Sequence, residues 1–166
     1  LKEGNDIIFL DPRKENFLLR VWSPNNYLKK LSEKFKVATS EKDLNLERIK
    51  NSIPNSSIDL EKEKSFILNY NFDALNAISY TKGCYIGQEN TSRQNYRGKI
   101  KYILKTIKLI DGNFPKAHEA LLVNSQKVGV MKSHVYNYGL ALLRSDFYKV
   151  GYIFSLDKHH TRIQII

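Results

Sequence analysis

One cysteine, one methionine, one tryptophan and four prolines are all that this 166-residue chain holds of those four residue types. A single thiol cannot close an internal disulfide. That excludes a disulfide-stapled secreted scaffold and makes a reducing compartment the simplest reading. No apolar run approaches the ~20 residues that a membrane-spanning helix needs. The opening Leu1-Lys2-Glu3-Gly4-Asn5-Asp6 lacks the basic start, apolar centre and small-residue cleavage site of a signal peptide. His118, His134, His159 and His160 are scattered, and no Cys/His spacing matches a zinc site; His159-His160 reads as a solvated strand edge. No Gly-Lys-Ser/Thr follows a glycine-rich turn, which excludes a P-loop. No Ser/His/Asp arrangement follows from spacing, and there is no internal repeat or low-complexity tract. The chain begins with Leu rather than Met, close to an apparent strand, and is expected to be part of a longer protein.

Acidic residues are also scarce, 17 against 27 basic ones, for a net charge of +10. Lysine, isoleucine and asparagine, all with AT-rich codons, are abundant, so base composition accounts for part of this. It does not account for the distribution. Residues 1–81 carry 13 basic and 12 acidic side chains, whereas residues 82–166 carry 14 and 5. The second half is expected to face something anionic. Hydrophobic content of 42% and charged content of 27% are ordinary for a soluble globular protein, either one domain or two small ones.

Ile7-Ile8-Phe9-Leu10 reads as a strand stopped by Asp11-Pro12, and Phe17 to Trp22 as its antiparallel partner. Ser23 and Pro24 offer an N-cap and first turn for a helix through Phe35, with Tyr27, Leu28, Leu31 and Phe35 facing inward. A second helix is predicted from Asp43 to Ile53, stopping at Pro54, and residues 54–65 read as a polar surface connection. Gln88 to Tyr96 has the composition of a short helix ended by Gly98. Strands are predicted at Lys99–Ile110, Ala120–Asn124, Lys127–Ser133, Leu140–Arg144 and Thr161–Ile166. Short strands without long helices point to a small antiparallel barrel. The fold class is therefore α+β, with a boundary near Gly98: residues 1–98 α/β and residues 99–166 a β-barrel-like unit.

The lone cysteine sits in Lys82-Gly83-Cys84-Tyr85-Ile86-Gly87-Gln88-Glu89. Gly83 and Gly87 permit backbone angles closed to other residues and let main chain approach a ligand. A helix starting near Gly87 directs free N–H groups back toward the thiol, and Lys82 adds a positive charge. Both favour the thiolate, the nucleophilic and metal-binding form. The alternative is a small buried hydrophobe, since free cysteine is among the most buried residue types.

This octapeptide resembles the signature of the YgfZ-type folate-binding proteins, relatives of the glycine-cleavage T-protein. Asp11-Pro12-Arg13, with the strand reaching Arg20, is similar to that family's hairpin. Ala77-Ile78-Ser79-Tyr80 precedes the motif, and Arg93 and Tyr96-Arg97-Gly98 follow it. Val128-Gly129-Val130 through Ser133, then Gly139 to Arg144, resemble the terminal barrel. The resemblance covers nearly the whole chain. It implies the C-terminal part of a T-protein-like folate-binding α/β domain followed by a small barrel. It further implies tetrahydrofolate, or a derivative, as cofactor and a role in assembly or repair of iron–sulfur clusters, chiefly 4Fe–4S. Bacterial members are also tied to iron–sulfur enzymes that modify transfer RNA. Carried onto this sequence, Cys84 and Lys82 are the reactive residues, and Gly83, Tyr85, Gly87, Gln88, Glu89 and Arg93 line the folate site; no resident metal is implied. The sequence departs from the family in two respects. Members run to about twice this length, and Ile67-Leu68-Asn69-Tyr70 stands where a pterin-contacting carboxylate is expected.

Arg93 to Lys108 holds six basic residues, no acidic one, and Tyr96 and Tyr102. That composition suits a nucleic-acid groove, a lysine-guarded sheet edge, or attraction to a folate polyglutamate tail. Three functions therefore stand open: a tetrahydrofolate-linked iron–sulfur maturation factor, an aminomethyl or one-carbon transferase, and a basic RNA-binding module. Partners expected for the first are iron–sulfur proteins or cluster carriers. Its compartment is the cytoplasm, or the mitochondrial matrix in a eukaryote.

Overall fold

A helix cap explains the first departure from the sequence expectations. In the computed structural model, which describes residues 2–3, 6–22, 33, 40–98, 100–158 and 160–166, helix α1 spans Glu41–Lys50 rather than 43–53. Ser40 is its N-cap, its side chain accepting from the Asp43 N–H at 3.1 Å. At the other end Ser52 takes a left-handed φ of 55°. The Ser52 N–H donates to the Ile49 carbonyl and the Ile53 N–H to the Arg48 carbonyl. This is the Schellman closure, which folds the hydrophobic residue after the cap back over the last turn. Ile53 thus stays on the buried stripe, 1% exposed, without being helical. The helix expected over Ser23–Phe35, with Tyr27, Leu28, Leu31 and Phe35, lies outside the described residues except for Glu33.

Near the N-terminus, β1 (Lys2–Glu3), β2 (Asp6–Leu10) and β3 (Leu19–Trp22) form an antiparallel sheet in that order. Phe9 meets Trp22 edge-on, with ring centroids 5.7 Å apart. A 3₁₀ turn covers Ile67–Tyr70 and ends at Asn71, in the left-handed region. Helix α2 covers Gln88–Arg97.

The remaining strands are β4 (Tyr102–Asp111), β5 (Ala120–Val123), β6 (Gln126–Val135), β7 (Tyr138–Arg144), β8 (Ile153–Ser155) and β9 (Arg162–Ile165). They form one curled antiparallel sheet in the order β5-β6-β7-β4-β9-β8. Asp157 spans the seam between its end strands. Its N–H donates to the Leu122 carbonyl at 3.0 Å, and its carboxylate accepts from the Asn124 and Ser125 N–H groups. Gly129 is required by close approach, because a Cβ there would stand 2.6 Å from the Leu142 carbonyl oxygen across the β6–β7 pair.

The sheet has a buried layer on each side. Ile107, Leu121, Met131, Ala141, Leu143, Ile163 and Ile165 fill the concave interior. On the outer wall, Leu104 of β4 and Leu140 of β7 pack with Ile49 of α1 and Tyr70 of the 3₁₀ turn. Polar bonds fix that docking: Thr106 Oγ1 donates to the Ile49 carbonyl at 2.6 Å, and Asn71 Nδ2 to the Leu104 carbonyl at 3.0 Å.

Residues 54–65 are not simply a surface connection. Asp59 is 0% exposed. It accepts from Arg48 NH1 at 3.1 Å, the Asn55 N–H at 2.7 Å and the Ser133 N–H of β6 at 2.8 Å. Nearby, buried Lys132 of β6 donates to Glu61 and to His118 Nδ1, each at 3.2 Å. A carboxylate taken out of water requires such compensation. Its partner Ser133 lies 74 positions away, so no local pattern signals it.

Candidate functional site

The Asp-Pro-Arg hairpin is organised by one buried carboxylate. Asp11, 3% exposed, accepts from the backbone N–H and Nε of Arg13 at 3.0 Å each, and from Arg13 NH2 and Arg20 Nε at 2.8 Å each. The Arg13 side-chain hydrogen bond, against the opposing effect of burial and with help from Arg20, holds its carboxyl well below the usual carboxylate range. Asn76 Nδ2 donates to the Pro12 carbonyl at 2.9 Å, joining this hairpin to the segment that leads into the cysteine motif.

The motif itself is an exposed turn. Cys84 is a free, exposed thiol, which settles against the buried-hydrophobe reading. The Lys82 N–H donates to Ser79 Oγ at 3.2 Å, and the Lys82 ammonium lies 4.6 Å from the centre of the Tyr85 ring. That cation–π contact engages the charge expected to act on the thiol. A Cβ built on Gly83 meets nothing within 4 Å, so this glycine leaves open space beside Cys84. Gly87 is the N-cap of α2 with φ +87°, a conformation costly for other residues. Gln88 reaches back so that its Oε1 accepts from the Tyr85 N–H at 3.2 Å, fixing the turn. Ile86 is fully exposed.

Helix α2 presents Glu89, Ser92, Arg93 and Tyr96 along one face, spaced i, i+3, i+4 and i+7. Together they line an open hollow of about 380 Å³. Arg93 NH2 pairs with Glu89 Oε1 across one helical turn. Tyr80 stands edge-on to Tyr96, with ring centroids 6.2 Å apart. On another face of α2, Gln94 Nε2 donates to Asn69 Oδ1 at 2.9 Å. Asn69, which occupies the place of the expected carboxylate, therefore ties the motif helix to the 3₁₀ turn.

Of the residues expected at the site, Glu89 and Arg93 meet at the hollow, and Gln88 and Gly87 shape the turn before it. Lys82 and Tyr85 pair with each other, and Cys84 stands exposed beside them in sequence. Ser92 and Tyr96 were not among the expected site residues, although the helical spacing from Glu89 marks them. The basic stretch is divided by the structure. Arg93 is at the hollow, Lys99 lies outside the described residues, and Lys105 lies 4.6 Å from the centre of the Tyr148 ring. Lys105 and Lys108, an odd number of positions apart on β4, point to opposite faces of the sheet. Among the described residues, no three His, Cys, Asp or Glu side chains converge to hold a metal ion. Nor is any described helix long and apolar enough to cross a membrane.

Residues 101–164 match the family described as CAF17, C-terminal beta-barrel domain. The chain is 34% identical over 103 residues, 61% of its length, to the iron-sulfur cluster assembly factor IBA57 homolog, mitochondrial, of Dictyostelium discoideum, of which the match covers 25%. It is 35% identical over 109 residues, 63% of its length, to the human iron-sulfur cluster assembly factor IBA57, mitochondrial, covering 30% of that protein. Over 34 residues, 20% of this chain and 10% of the relative, it is 56% identical to the tRNA-modifying protein YgfZ of Colwellia psychrerythraea. The chain thus spans less than a third of the length of these relatives.

Proposed function

We propose, from the YgfZ-type family resemblance that these matches support, that the chain acts as a tetrahydrofolate-linked accessory factor in iron–sulfur cluster assembly or repair. The observation that carries this reading is the intact Lys82–Glu89 turn, with Cys84 exposed, running directly into the helix that lines the hollow. The cluster or its donor is cargo, met by the single Cys84 sulfur in company with a partner's ligands. In this reading the clients are iron–sulfur enzymes, including those that modify transfer RNA. The compartment is the mitochondrial matrix in a eukaryotic host and the cytoplasm in a bacterial one.

The hollow is open and lined by four side chains of one helix, so in this reading it forms one wall of a folate site. It joins an aromatic face, Tyr96, to the Arg93 guanidinium, which pairs with Glu89 and would exchange that partner for a carboxylate tail. The Tyr80 ring stands edge-on to Tyr96, and its buried hydroxyl has no partner among the described residues. Tyr96 would hold the ring system and Arg93 the anionic end, while the Gly87 cap and the Gln88–Tyr85 bond hold the turn in register. Lys82, Gly83 and Tyr85 would set the surroundings of Cys84. When bound, tetrahydrofolate supplies a reduced, one-carbon-carrying pterin.

Expression of this chain in cells that lack their native factor tests the proposal. Recovery of 4Fe–4S enzyme activity is expected. Activity that stays at the deficient level, with the protein present and folded, counts against it.

A further inference from the structure

One end of the barrel gathers cations and aromatic rings that the proposed function does not use. β4 begins there at Tyr102, β7 ends there at Arg144, and a loop over residues 145–152 leads on to β8. The Ser145 N–H donates to the Lys101 carbonyl at 2.9 Å, which sets Lys101 beside the start of that loop. Phe147 and Tyr148 pack against the barrel interior, and the Lys105 ammonium lies 4.6 Å from the centre of the Tyr148 ring.

The loop is held from several sides. The Phe147 and Tyr148 N–H groups both donate to the Arg144 carbonyl, and the Gly151 N–H donates to the Ile165 carbonyl of β9 at 2.8 Å. The Tyr152 N–H closes a four-residue turn onto the Lys149 carbonyl at 3.0 Å, with Gly151 left-handed in its third position at φ +82°. Lys149 and Val150 stand exposed on this turn. Tyr152 is backed by Phe147, edge-on, and by Phe154, stacked at 6.1 Å, yet 45% of it is exposed.

Charge at this end has one sign. Lys101, Lys105, Arg144 and Lys149 stand against a single acidic residue, Asp146, and Asp146 pairs with Arg144. Among the described residues, Lys101, Lys105 and Lys149 have no carboxylate partner. A polyanion that carries flat rings suits both halves of such a surface, because lysines meet phosphates and tyrosine faces take bases. Unstacked bases are offered by the single-stranded loops and ends of RNA. An anionic lipid surface would use the charge but leave the ring faces idle. Ile153, alternating with buried Phe154, points to the other side of the sheet, so Val150 and Tyr152 alone would insert.

We propose that this end of the barrel binds single-stranded RNA, with Lys101, Lys105 and Lys149 facing phosphates and Tyr152 stacked on a base. The surface is assembled from the start of β4 and the 145–152 loop. It is independent of the Cys84 turn and of folate.

Fluorescence anisotropy of the whole chain with a labelled uridine oligonucleotide about 16 nucleotides long tests the proposal. The logarithm of affinity is expected to fall with that of salt at a slope of about −2, or about −0.7 for each of three phosphates. Lys101→Gln with Lys149→Gln is expected to weaken binding about 10-fold and to flatten the slope to about −0.7. Lys158→Gln with Arg162→Gln removes the same charge at the opposite end of the barrel and is expected to leave both unchanged. Tyr152→Leu keeps an apolar side chain against Phe147 and Phe154 but loses the stacking face, and is expected to weaken binding about 5-fold or more, whereas Tyr152→Phe retains it. Equal weakening by the two double variants would make the binding a matter of net charge and overturn the proposal. Wild-type affinity in Tyr152→Leu, or tighter binding of the matching deoxyoligonucleotide, would also overturn it. So would wild-type protein that leaves the oligonucleotide free, and its sedimentation with phosphatidylserine vesicles would then assign the surface to a membrane.

Discussion

Gln94 of the motif helix donates its side-chain amide to Asn69 Oδ1 at 2.9 Å, bridging 25 residues of sequence. The bond fixes the far side of α2 while its opposite face lines the hollow. It gives Asn69 a structural task at the position where the family resemblance leads one to expect a carboxylate. Asn69→Asp keeps an acceptor for Gln94 and adds a charge. The variant is expected to match wild-type stability to within about 0.5 kcal/mol, since the bond survives in charge-assisted form. Its affinity for tetrahydrofolate, by direct titration, is expected to equal that of wild type, because position 69 meets α2 on the face away from the hollow. A several-fold gain would place position 69 at the ligand site.

Asp59 holds α1, the 54–65 segment and β6 together from a fully buried position. Asp59→Ala leaves Arg48 buried without its counter-ion, and removal of one member of such a pair costs about 3–5 kcal/mol. Denaturant unfolding should show a loss of that size. A loss below about 1 kcal/mol would show that Arg48 finds water or another acceptor.

Acid should loosen the Asp-Pro-Arg hairpin in a defined direction. The Asp11 carboxyl is depressed in the folded protein by its Arg13 and Arg20 bonds. Its stabilisation is therefore complete well above the unfolded carboxylate value of about 3.9, and is lost progressively as pH falls below it. Asp11→Asn should lower stability at neutral pH and reduce the difference from wild type as the solution is acidified toward pH 2. A difference that stays constant from neutral pH to that point would show that the charge of Asp11 contributes nothing.

Much of this arrangement was legible in the residues, and the parts that were not share a physical cause. The β2–β3 hairpin, α2 and five of the six barrel strands follow from local patterning and turn formers. β8 was missed because three residues, Ile153-Phe154-Ser155, are too short to show a period. The end of α1 was misplaced because the Schellman closure keeps Ile53 on the buried stripe after the helix has stopped. Asp59 reads as a surface residue because its partner on β6 is remote in sequence. At the site, the octapeptide marks the turn and its glycines, and helical spacing from Glu89 marks the hollow. The Gln94–Asn69 bridge and the unpartnered Tyr80 hydroxyl belong to tertiary packing, and no pattern along the chain displays them.

Cys84 carries the central claim, and its exposure lets it be tested without disturbing the core. The direct measurement is 4Fe–4S enzyme activity in cells lacking their native factor, with wild-type chain and Cys84→Ala expressed at equal levels. Wild type should restore activity and Cys84→Ala should leave it near the deficient background. Full restoration by Cys84→Ala would contradict the account.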